Sequence, residues 1–360
     1  MRRLVAVIAA ACLVLACAAT AQARIPRIPA GWVGVAADGP LIERPARHKG
    51  EWRLMERNRV GFVRAAFVWR DVQPAQGPID LAPTDAIVLA AAAQGLIVLP
   101  EIHGTPAWAA VDPSSESSRP RDPADFAEVL RAMVRRYGPR GSFWDAHPDL
   151  RPRPIRRWQI WNEPNLEVYW KEQPFAPEYV ELLRASRAVL EAEDDGAQLI
   201  LGGMPNRPWQ DLRAIYAAGG RGLFDAVGLH PYTGQVFDVV RVVRFVRKEL
   251  RREHDGKLPV YLTEVSWPAS AKHNGVKPGG FEVTDAQQAT KLRQALKLLA
   301  SERKELRIAG VVWYTWLSAE GTALPTWSGF SGLRRLRDGK VVSAPSLAAF
   351  RQTVGALRRR

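Results

Sequence analysis

The stretch that decides the fold reads Arg157-Trp158-Gln159-Ile160-Trp161-Asn162-Glu163-Pro164-Asn165. Its first half places apolar side chains at alternate positions, Trp158 and Ile160, which is the pattern of a short strand. Its second half ends that strand, because Pro164 cannot donate to a sheet ladder and excludes helical geometry at the residue before it. The carboxyl group of Glu163 is therefore predicted to lie where a strand becomes a loop.

Similar short apolar segments occur along the whole chain, and helical segments separate them. The predicted strands are 32–35, 60–69, 96–101, 158–162, 198–202, 224–229, 259–264 and 308–316. The predicted helices are 48–58, 83–94, 122–137, 177–193, 211–218, 236–253, 284–303 and 346–357. Strands that alternate with helices form parallel βαβ units, and eight such units predict a closed (β/α)8 barrel, a TIM barrel, in a single domain. No glycine-rich phosphate loop follows the first strand, which argues against a dinucleotide-binding fold.

The first 23 residues differ in composition from the rest. Two arginines follow Met1, an apolar run continues from Leu4 to Ala19, and Ala21-Gln22-Ala23 has small residues around its centre. This pattern predicts a secretory signal peptide over residues 1–23, with the barrel domain over residues 24–360. The run is too short for a comfortable bilayer span, so we expect a secreted protein without a stable membrane span, extracellular or in the cell envelope.

Both cysteines, Cys12 and Cys17, lie within this leader, so a mature chain from about Arg24 has no cysteine for disulfides or metal binding. An alternative is that Val14-Leu15-Ala16-Cys17 acts as a lipoprotein cleavage box and leaves Cys17 lipidated. The formal charge of the full chain is +14. Its arginines are scattered along helical segments without a nucleic-acid-binding motif, so we expect no nucleic-acid partner.

Polar residues recur at the carboxyl ends of the predicted strands, where the active sites of such barrels lie. They are Arg64, His103, Asn162, Glu163, His230, Tyr232, Glu264 and Trp316. Any one of them could be a strand cap or a packed side chain, but the joint pattern predicts a site. Tryptophans beside Glu163 should raise its pKa, and Tyr232 and Arg64 should hold the pKa of Glu264 low. Two carboxyl groups with separated pKa values and a neighbouring amide suit acid catalysis on a sugar.

These residues resemble clan A of the glycoside hydrolases, the retaining (β/α)8 glycosidases. The resemblance rests on Trp161-Asn162-Glu163-Pro164-Asn165, Leu262-Thr263-Glu264, His230-x-Tyr232 and Trp316. The segments 69–77 and 105–108 look most like the family that includes β-xylosidases and α-L-iduronidases. The resemblance spans nearly all of the chain after the leader, and its motifs are more specific for the clan than for that family.

The resemblance implies a role for each matching residue. Glu163 would be the general acid/base, Glu264 the nucleophile that forms a glycosyl-enzyme, and Asn162 the partner of the sugar 2-hydroxyl. Trp316 would be the platform under the reacting sugar. The other expected substrate-binding residues are Arg64, His103, His230, Tyr232 and Trp108, with Trp327 as a weaker candidate. Each histidine could instead be structural, and each tryptophan could simply be packed.

We therefore expect a monomer that acts on a poly- or oligosaccharide and needs no cofactor and no metal. An acidic polymer is a further hypothesis, because the predicted subsite loops carry basic residues. These are Lys171, Lys272, Lys277 and Arg334. Alternatives are a barrel that binds glycans without cleaving them, a transglycosylase that uses the same two glutamates, and a metal-dependent hydrolase built on Glu101 and His103. The last lacks a His-Glu-x-x-His or cysteine cluster, and Glu101, which follows a proline, is given no catalytic part.

Overall fold

The structure is a computed structural model that describes residues 27–271, 279–320 and 327–359. The predicted signal peptide over residues 1–23 lies outside the described residues, as do both cysteines. Two of the basic loop residues, Lys272 and Lys277, also lie outside them.

Eight parallel strands form one sheet that curls into a barrel. They are β1 (Val33–Ala37), β2 (Phe62–Val68), β3 (Ile97–His103), β4 (Arg157–Ile160), β5 (Gln198–Leu201), β6 (Val227–Leu229), β7 (Val260–Val265) and β8 (Ile308–Trp313). Their hydrogen-bonded order is β5-β4-β3-β2-β1-β8-β7-β6. Two isolated parallel bridges, Ile200 with Ala226 and Met204 with Leu229, join β5 to β6. The predicted (β/α)8 barrel is confirmed.

Helices connect the strands on the outside of the barrel. They are α1 (Pro40–Glu43), α2 (Lys49–Arg57), α3 (Trp69–Val72), α4 (Ala82–Ala92), α5 (Pro123–Tyr137), α6 (Ser142–Ala146), α7 (Ala176–Glu193), α8 (Pro208–Ala217), α9 (Val236–Arg252), α10 (Asp285–Glu302) and α11 (Pro345–Arg358). The predicted capping box of α10 is present, because the Thr284 and Gln287 side chains each bond to the other's backbone N–H. None of the described helices has the length and apolar character that a bilayer crossing requires.

The inside of the barrel has an apolar floor and a polar mouth. Phe62, Leu99, Tyr261 and Val312 pack together as a core cluster within the sheet. Side chains two residues apart on a strand share a face, so the residue two positions after Phe62 points inward one layer higher. That residue is Arg64, which is buried. The alternation therefore places charged groups directly above a packed core, at the carboxyl ends of the strands.

A second, smaller sheet follows β8, in a stretch that the sequence predicted to be a loop. It consists of β9 (Leu317–Ala319), β10 (Arg334–Arg337) and β11 (Lys340–Ser343), hydrogen-bonded in the order β11-β10-β9. Arg334 donates two hydrogen bonds to the Glu51 carboxylate of α2, at 2.9 and 3.0 Å. Trp316 Nε1 donates to the same carboxylate at 3.0 Å. One buried acid thus fixes the small sheet to the barrel.

Candidate functional site

The Trp-Asn-Glu-Pro turn after β4 holds its backbone in an unusual conformation. Trp161 and Glu163 have φ angles of 69° and 43°, a region that non-glycine residues seldom occupy. Two hydrogen bonds hold the turn there: the Glu163 N–H donates to the Gly203 carbonyl at 3.1 Å, and Trp161 Nε1 donates to the Tyr169 carbonyl at 2.9 Å. Positive φ at buried, bonded residues is typical of functional sites. Here it turns the Glu163 carboxyl group into the barrel mouth.

Arg64 connects the polar side chains of four strands. Its guanidinium donates to the Glu264 carboxylate at 2.8 Å, to Asn162 Oδ1 at 2.8 Å and to Gln159 Oε1 at 2.7 Å. It also lies 3.7 Å from the Glu101 carboxylate. Arg64 donates to Asn162 Oδ1, which leaves the side-chain amide nitrogen of Asn162 to contact a ligand as a donor.

The two glutamates predicted to act together lie together. One oxygen of Glu163, one oxygen of Glu264 and a ring nitrogen of His230 all lie within 4.8 Å of one another. The Glu163 carboxyl group lies 2.6 Å from His230 Nδ1, and that nitrogen lies 3.6 Å from Glu264. Retaining glycosidases hold their carboxyl groups about 5–5.5 Å apart, and inverting ones about 6.5–9.5 Å apart. The observed spacing fits the shorter class.

The neighbours of the two glutamates differ. Glu264 accepts hydrogen bonds from Arg64 at 2.8 Å and from the Tyr232 hydroxyl at 2.5 Å. Among the described residues, Glu163 has His230 as its side-chain partner and no direct bond to a cation. A cation together with a phenol hydroxyl stabilises a carboxylate anion more strongly than a neutral imidazole does. The contacts therefore favour ionisation of Glu264 before Glu163.

Burial dominates the pKa values in this cluster. It raises the pKa of Glu163 to about 7, with Arg64 opposing the shift and Glu101 adding to it. Burial lowers the pKa of His230 to about 4, which keeps the imidazole neutral. Burial also raises the pKa of Glu264, although His230, Arg64 and Tyr232 oppose the rise. The expectation that Glu264 has a pKa held below its usual range is therefore wrong, because desolvation outweighs its polar partners.

Glu101 belongs to this cluster, although the sequence analysis gave it no catalytic part. Its carboxylate contacts His103 Nδ1 at 2.7 Å and Arg64 at 3.7 Å. Burial would raise its pKa, but His103 and Arg64 outweigh burial and lower it. Glu101 thus supplies a fixed negative charge beside Arg64. Glu101 and His103 are two residues apart on β3, so the prediction of His103 at the mouth should have placed Glu101 on the same inner face.

A cavity of about 210 Å³ opens above these side chains. Seven of its lining residues were predicted from the sequence as site or weaker candidate residues: Arg64, His103, Asn162, Glu163, Tyr232, Glu264 and Trp327. Four further charged or aromatic residues line it: Asp38, Glu101, Tyr169 and Tyr314. The Tyr314 hydroxyl donates to Asp38 at 2.5 Å. Trp327 packs edge-on against Tyr232, with ring centroids 5.1 Å apart.

Two predicted tryptophans do not reach this cavity. Trp316 is fully buried and bonded to Glu51, so the expectation that it forms the platform under a sugar is not met. Trp108 packs edge-on against Trp69 at 5.9 Å and donates to the Gln73 carbonyl. Strand β8 ends at Trp313, earlier than predicted, and Tyr314 rather than Trp316 faces the cavity. A better estimate of where β8 ends would have found Tyr314.

Two of the four basic residues behind the acidic-polymer hypothesis form ion pairs within the protein. Lys171 pairs with Asp112, and Arg334 pairs with Glu51. In both ion pairs the partner is an acid of the same chain, so less positive charge is left for a ligand. Lys272 and Lys277 are outside the described residues.

Glu163, His230 and Glu264 are also the described residues that could hold a metal ion together. The Arg64 guanidinium, 2.8 Å from Glu264, places a positive charge where a cation would have to bind. Glu101 and His103, the pair behind the metal-dependent alternative, bond to each other instead. The donor set thus fits an organic ligand better than a metal.

Comparison with known proteins gives a fold but no close relative. No protein-family model matches the sequence, and no curated protein matches it. Among solved structures, the chain is similar to a family 39 glycoside hydrolase from Bacteroides cellulosilyticus, with TM-score 0.69, 19% identity and coverage of 92% of this chain and 64% of that one. A monomeric β-xylosidase from Caulobacter crescentus matches with TM-score 0.66 and 17% identity, covering 91% and 68%.

A family 1 β-glucosidase from Thermotoga maritima matches with TM-score 0.65 and 14% identity, covering 93% of this chain and 100% of that one. The chain spans about two thirds of the length of the family 39 glycoside hydrolase and of the β-xylosidase. At these identities the comparisons show a shared fold. They agree with the resemblance to the clan A barrels that the motifs indicated.

Proposed function

We propose that this protein is a retaining O-glycosidase of the clan A type, with Glu163 as general acid/base and Glu264 as nucleophile. One observation carries the proposal: two buried glutamates at the barrel mouth lie within 4.8 Å of each other and have different partners. The names of the similar structures, a family 39 glycoside hydrolase, a β-xylosidase and a β-glucosidase, support a sugar as substrate. A barrel that only binds glycans would have no need for this pair.

In the first step Glu264 attacks the anomeric carbon of the sugar while Glu163 gives its proton to the leaving-group oxygen. Arg64 and Tyr232, which contact Glu264, orient the carboxylate and hold it as an anion. Glu163, with a pKa of about 7, retains its proton near neutral pH. The products of this step are a glycosyl-enzyme ester and a free alcohol.

In the second step the deprotonated Glu163 removes a proton from water, which attacks the ester and releases the sugar and Glu264. The amide nitrogen of Asn162 donates to the sugar 2-hydroxyl through both steps. Transfer to another alcohol would use the same intermediate, so product analysis with and without added acceptors separates hydrolysis from transglycosylation.

The proposal predicts how the two glutamates respond to substitution. Hydrolysis of a panel of aryl α- and β-glycosides should fall by about 10³-fold or more in Glu264→Ala, because a covalent nucleophile is lost. Azide should restore activity to Glu264→Ala by replacing the carboxylate on its face of the sugar, and the product should be a glycosyl azide of inverted configuration. Stopped-time assays with NMR of the products measure both effects.

Glu56→Ala, on the exposed face of α2, is the control for a change of charge and should retain full activity. Cleavage by Glu264→Ala at the wild-type rate would reject the assignment of the nucleophile. A glycosyl azide of retained configuration would reject the retaining mechanism.

Secretion is a separate proposal, supported by the basic start, apolar centre and small-x-small site of residues 1–23. Expression of the full chain in a bacterial host should yield an exported protein whose N-terminus is Arg24 by mass spectrometry. A mature chain that begins at a lipid-modified Cys17 would support anchoring instead. We also propose that the enzyme acts on a poly- or oligosaccharide as a monomer. Light scattering of the protein in solution would check its molar mass.

A further inference from the structure

The cavity above the glutamates adjoins two larger cavities, with which it shares lining residues. One, of about 630 Å³, shares Asp38 and Tyr314 with it and extends between α1 and the small sheet. The other, of about 600 Å³, shares His103 and Tyr169 with it and extends over the ends of β2 and β3. We call them the α1 flank and the β2 flank. Each of them is larger than the catalytic cavity.

The size of the catalytic cavity limits what it can hold. Pockets that enclose a drug-sized ligand have volumes of about 300–1,000 Å³. A volume of about 210 Å³ is enough for one sugar ring and too small for two. Further rings of a bound chain must therefore lie in the flanks.

Both junctions between the cavities are built in the same way. Tyr314 stands at the α1 flank and Tyr169 at the β2 flank, each beside a polar partner of the catalytic cavity. Aromatic faces with a polar edge suit sugar rings, which have apolar faces and hydroxyl rims. Both flanks are also polar: Arg44, Arg47 and Ser318 line the first, and Arg70 and Ser117 line the second.

We propose that the three cavities form one groove that binds a polysaccharide across the glutamates, so that the enzyme cleaves internal bonds of the chain rather than its ends. This inference rests on the proposed function and specifies its substrate as a polymer. An enzyme that removes terminal sugars needs a wall on one side of the catalytic cavity, whereas among the described residues a further cavity adjoins it at Asp38 and Tyr314 and another at His103 and Tyr169. Hydrolysis of an internal bond consumes one water and yields two shorter chains, one with a new reducing end.

The test measures two quantities during digestion of soluble xylan, β-1,4-galactan or mixed-linkage β-glucan: the molar mass of the polymer and the number of bonds cut, given by the reducing sugar released. The polymer that releases most reducing sugar is then followed by light scattering during digestion. Internal cleavage should lower the molar mass steeply while only a small fraction of the bonds has been cut. Removal of terminal sugars would release reducing sugar with little change in molar mass, and would overturn the proposal.

Two substitutions test the flanks separately. Val168→Trp narrows the β2 flank at a side chain that is 65% exposed, and Arg47→Trp narrows the α1 flank at an exposed residue. Each should lower the ratio of polymer turnover to aryl-glycoside turnover about tenfold, because remote binding energy is lost. Leu89→Trp, on the outer face of α4, adds the same bulk elsewhere and should leave this ratio unchanged.

The outcomes separate this inference from the function on which it rests. An effect from one flank variant alone would indicate a one-sided site and overturn the groove. Glu264-dependent hydrolysis of an aryl glycoside without attack on any of the three polymers would also overturn it, while the proposed function would stand. Failure with aryl glycosides and polymers alike would count against both.

Discussion

Glu163 and Glu264 show how the same side chain acquires two chemistries from its neighbours. Both are buried, so desolvation raises the pKa of each. The difference lies in their contacts, since Arg64 and Tyr232 bond to Glu264 and a neutral His230 bonds to Glu163. A mechanism that needs one acid and one anion at the same pH can use this asymmetry directly.

The raised pKa of Glu163 predicts the upper limit of the pH profile. In the proposed mechanism Glu163 must be protonated for the first step, so kcat/KM for a substrate with a poor leaving group should fall about tenfold per pH unit above about 7. Glu163→Gln should remove this decline and retain activity on aryl glycosides with good leaving groups, which need no proton. Initial rates between pH 4 and 10 on both substrate types measure the effect. An unchanged decline in Glu163→Gln would assign the titration to another group.

At this scale the sequence predicted correctly that Glu163 and Glu264 lie together at the barrel mouth, but it predicted their surroundings poorly. Glu163 and Glu264 follow from their positions at strand ends. Tyr314 could not be placed, because a strand assumed to run to Trp316 puts the wrong side chain at the mouth. The sequence also did not show that burial raises the pKa of Glu264 more than Arg64 and Tyr232 lower it, because desolvation depends on the packing of the whole barrel.

At the scale of elements, the barrel strands were predictable and the small sheet was not. The eight barrel strands are apolar runs, buried on both faces, that stand out against polar loops. Strand β10 reads Arg334-Arg335-Leu336-Arg337, which has three charges and no alternation of strand type. Two of its arginines form ion pairs that stabilise the strand, Arg334 with Glu51 and Arg335 with Glu320. Such long-range pairs leave no local signal.

The anchor of the small sheet predicts a sensitive position on α2. Glu51→Ala should lower the free energy of unfolding by about 2–4 kcal/mol, because it leaves the Arg334 cation and the buried Trp316 N–H without their partner. Denaturant titration measures the change. Glu56→Ala, an exposed acid on the same helix, is the matched control and should alter stability by about 0.5 kcal/mol or less. Equal effects of the two substitutions would show that Glu51 is no anchor.

For the whole molecule, burial of Glu163, the acid of the proposed mechanism, lowers stability. The pKa of Glu163 rises from 4.5 to about 7 on folding, so between these values the folded protein binds more protons than the unfolded one. Its stability therefore falls as pH rises through this window, and the full penalty, roughly 3 kcal/mol, is present above pH 7.

Glu163→Gln should be free of this penalty. Relative to wild type, the variant should gain stability progressively between about pH 4.5 and 7 and then hold a constant advantage. Urea denaturation at a series of pH values gives the difference directly. Glu56→Gln, at an exposed site, should follow the wild type throughout. A difference that stays the same at all pH values would indicate a packing effect of the substitution instead.

The weak contact between β5 and β6 has a consequence for how activity arises. This weak contact, made by two bridges, lies between an N-terminal half (β1–β5) and a C-terminal half (β6–β8) of the barrel. The first half contributes Arg64 and Glu163, and the second contributes His230 and Glu264. Two bonded pairs in the site, Arg64 with Glu264 and Glu163 with His230, take one member from each half. Neither half by itself holds both Glu163 and Glu264. Under the proposed function, sugar cleavage requires the assembled barrel, so a nascent or partly unfolded chain should not hydrolyse glycans before its two halves have met.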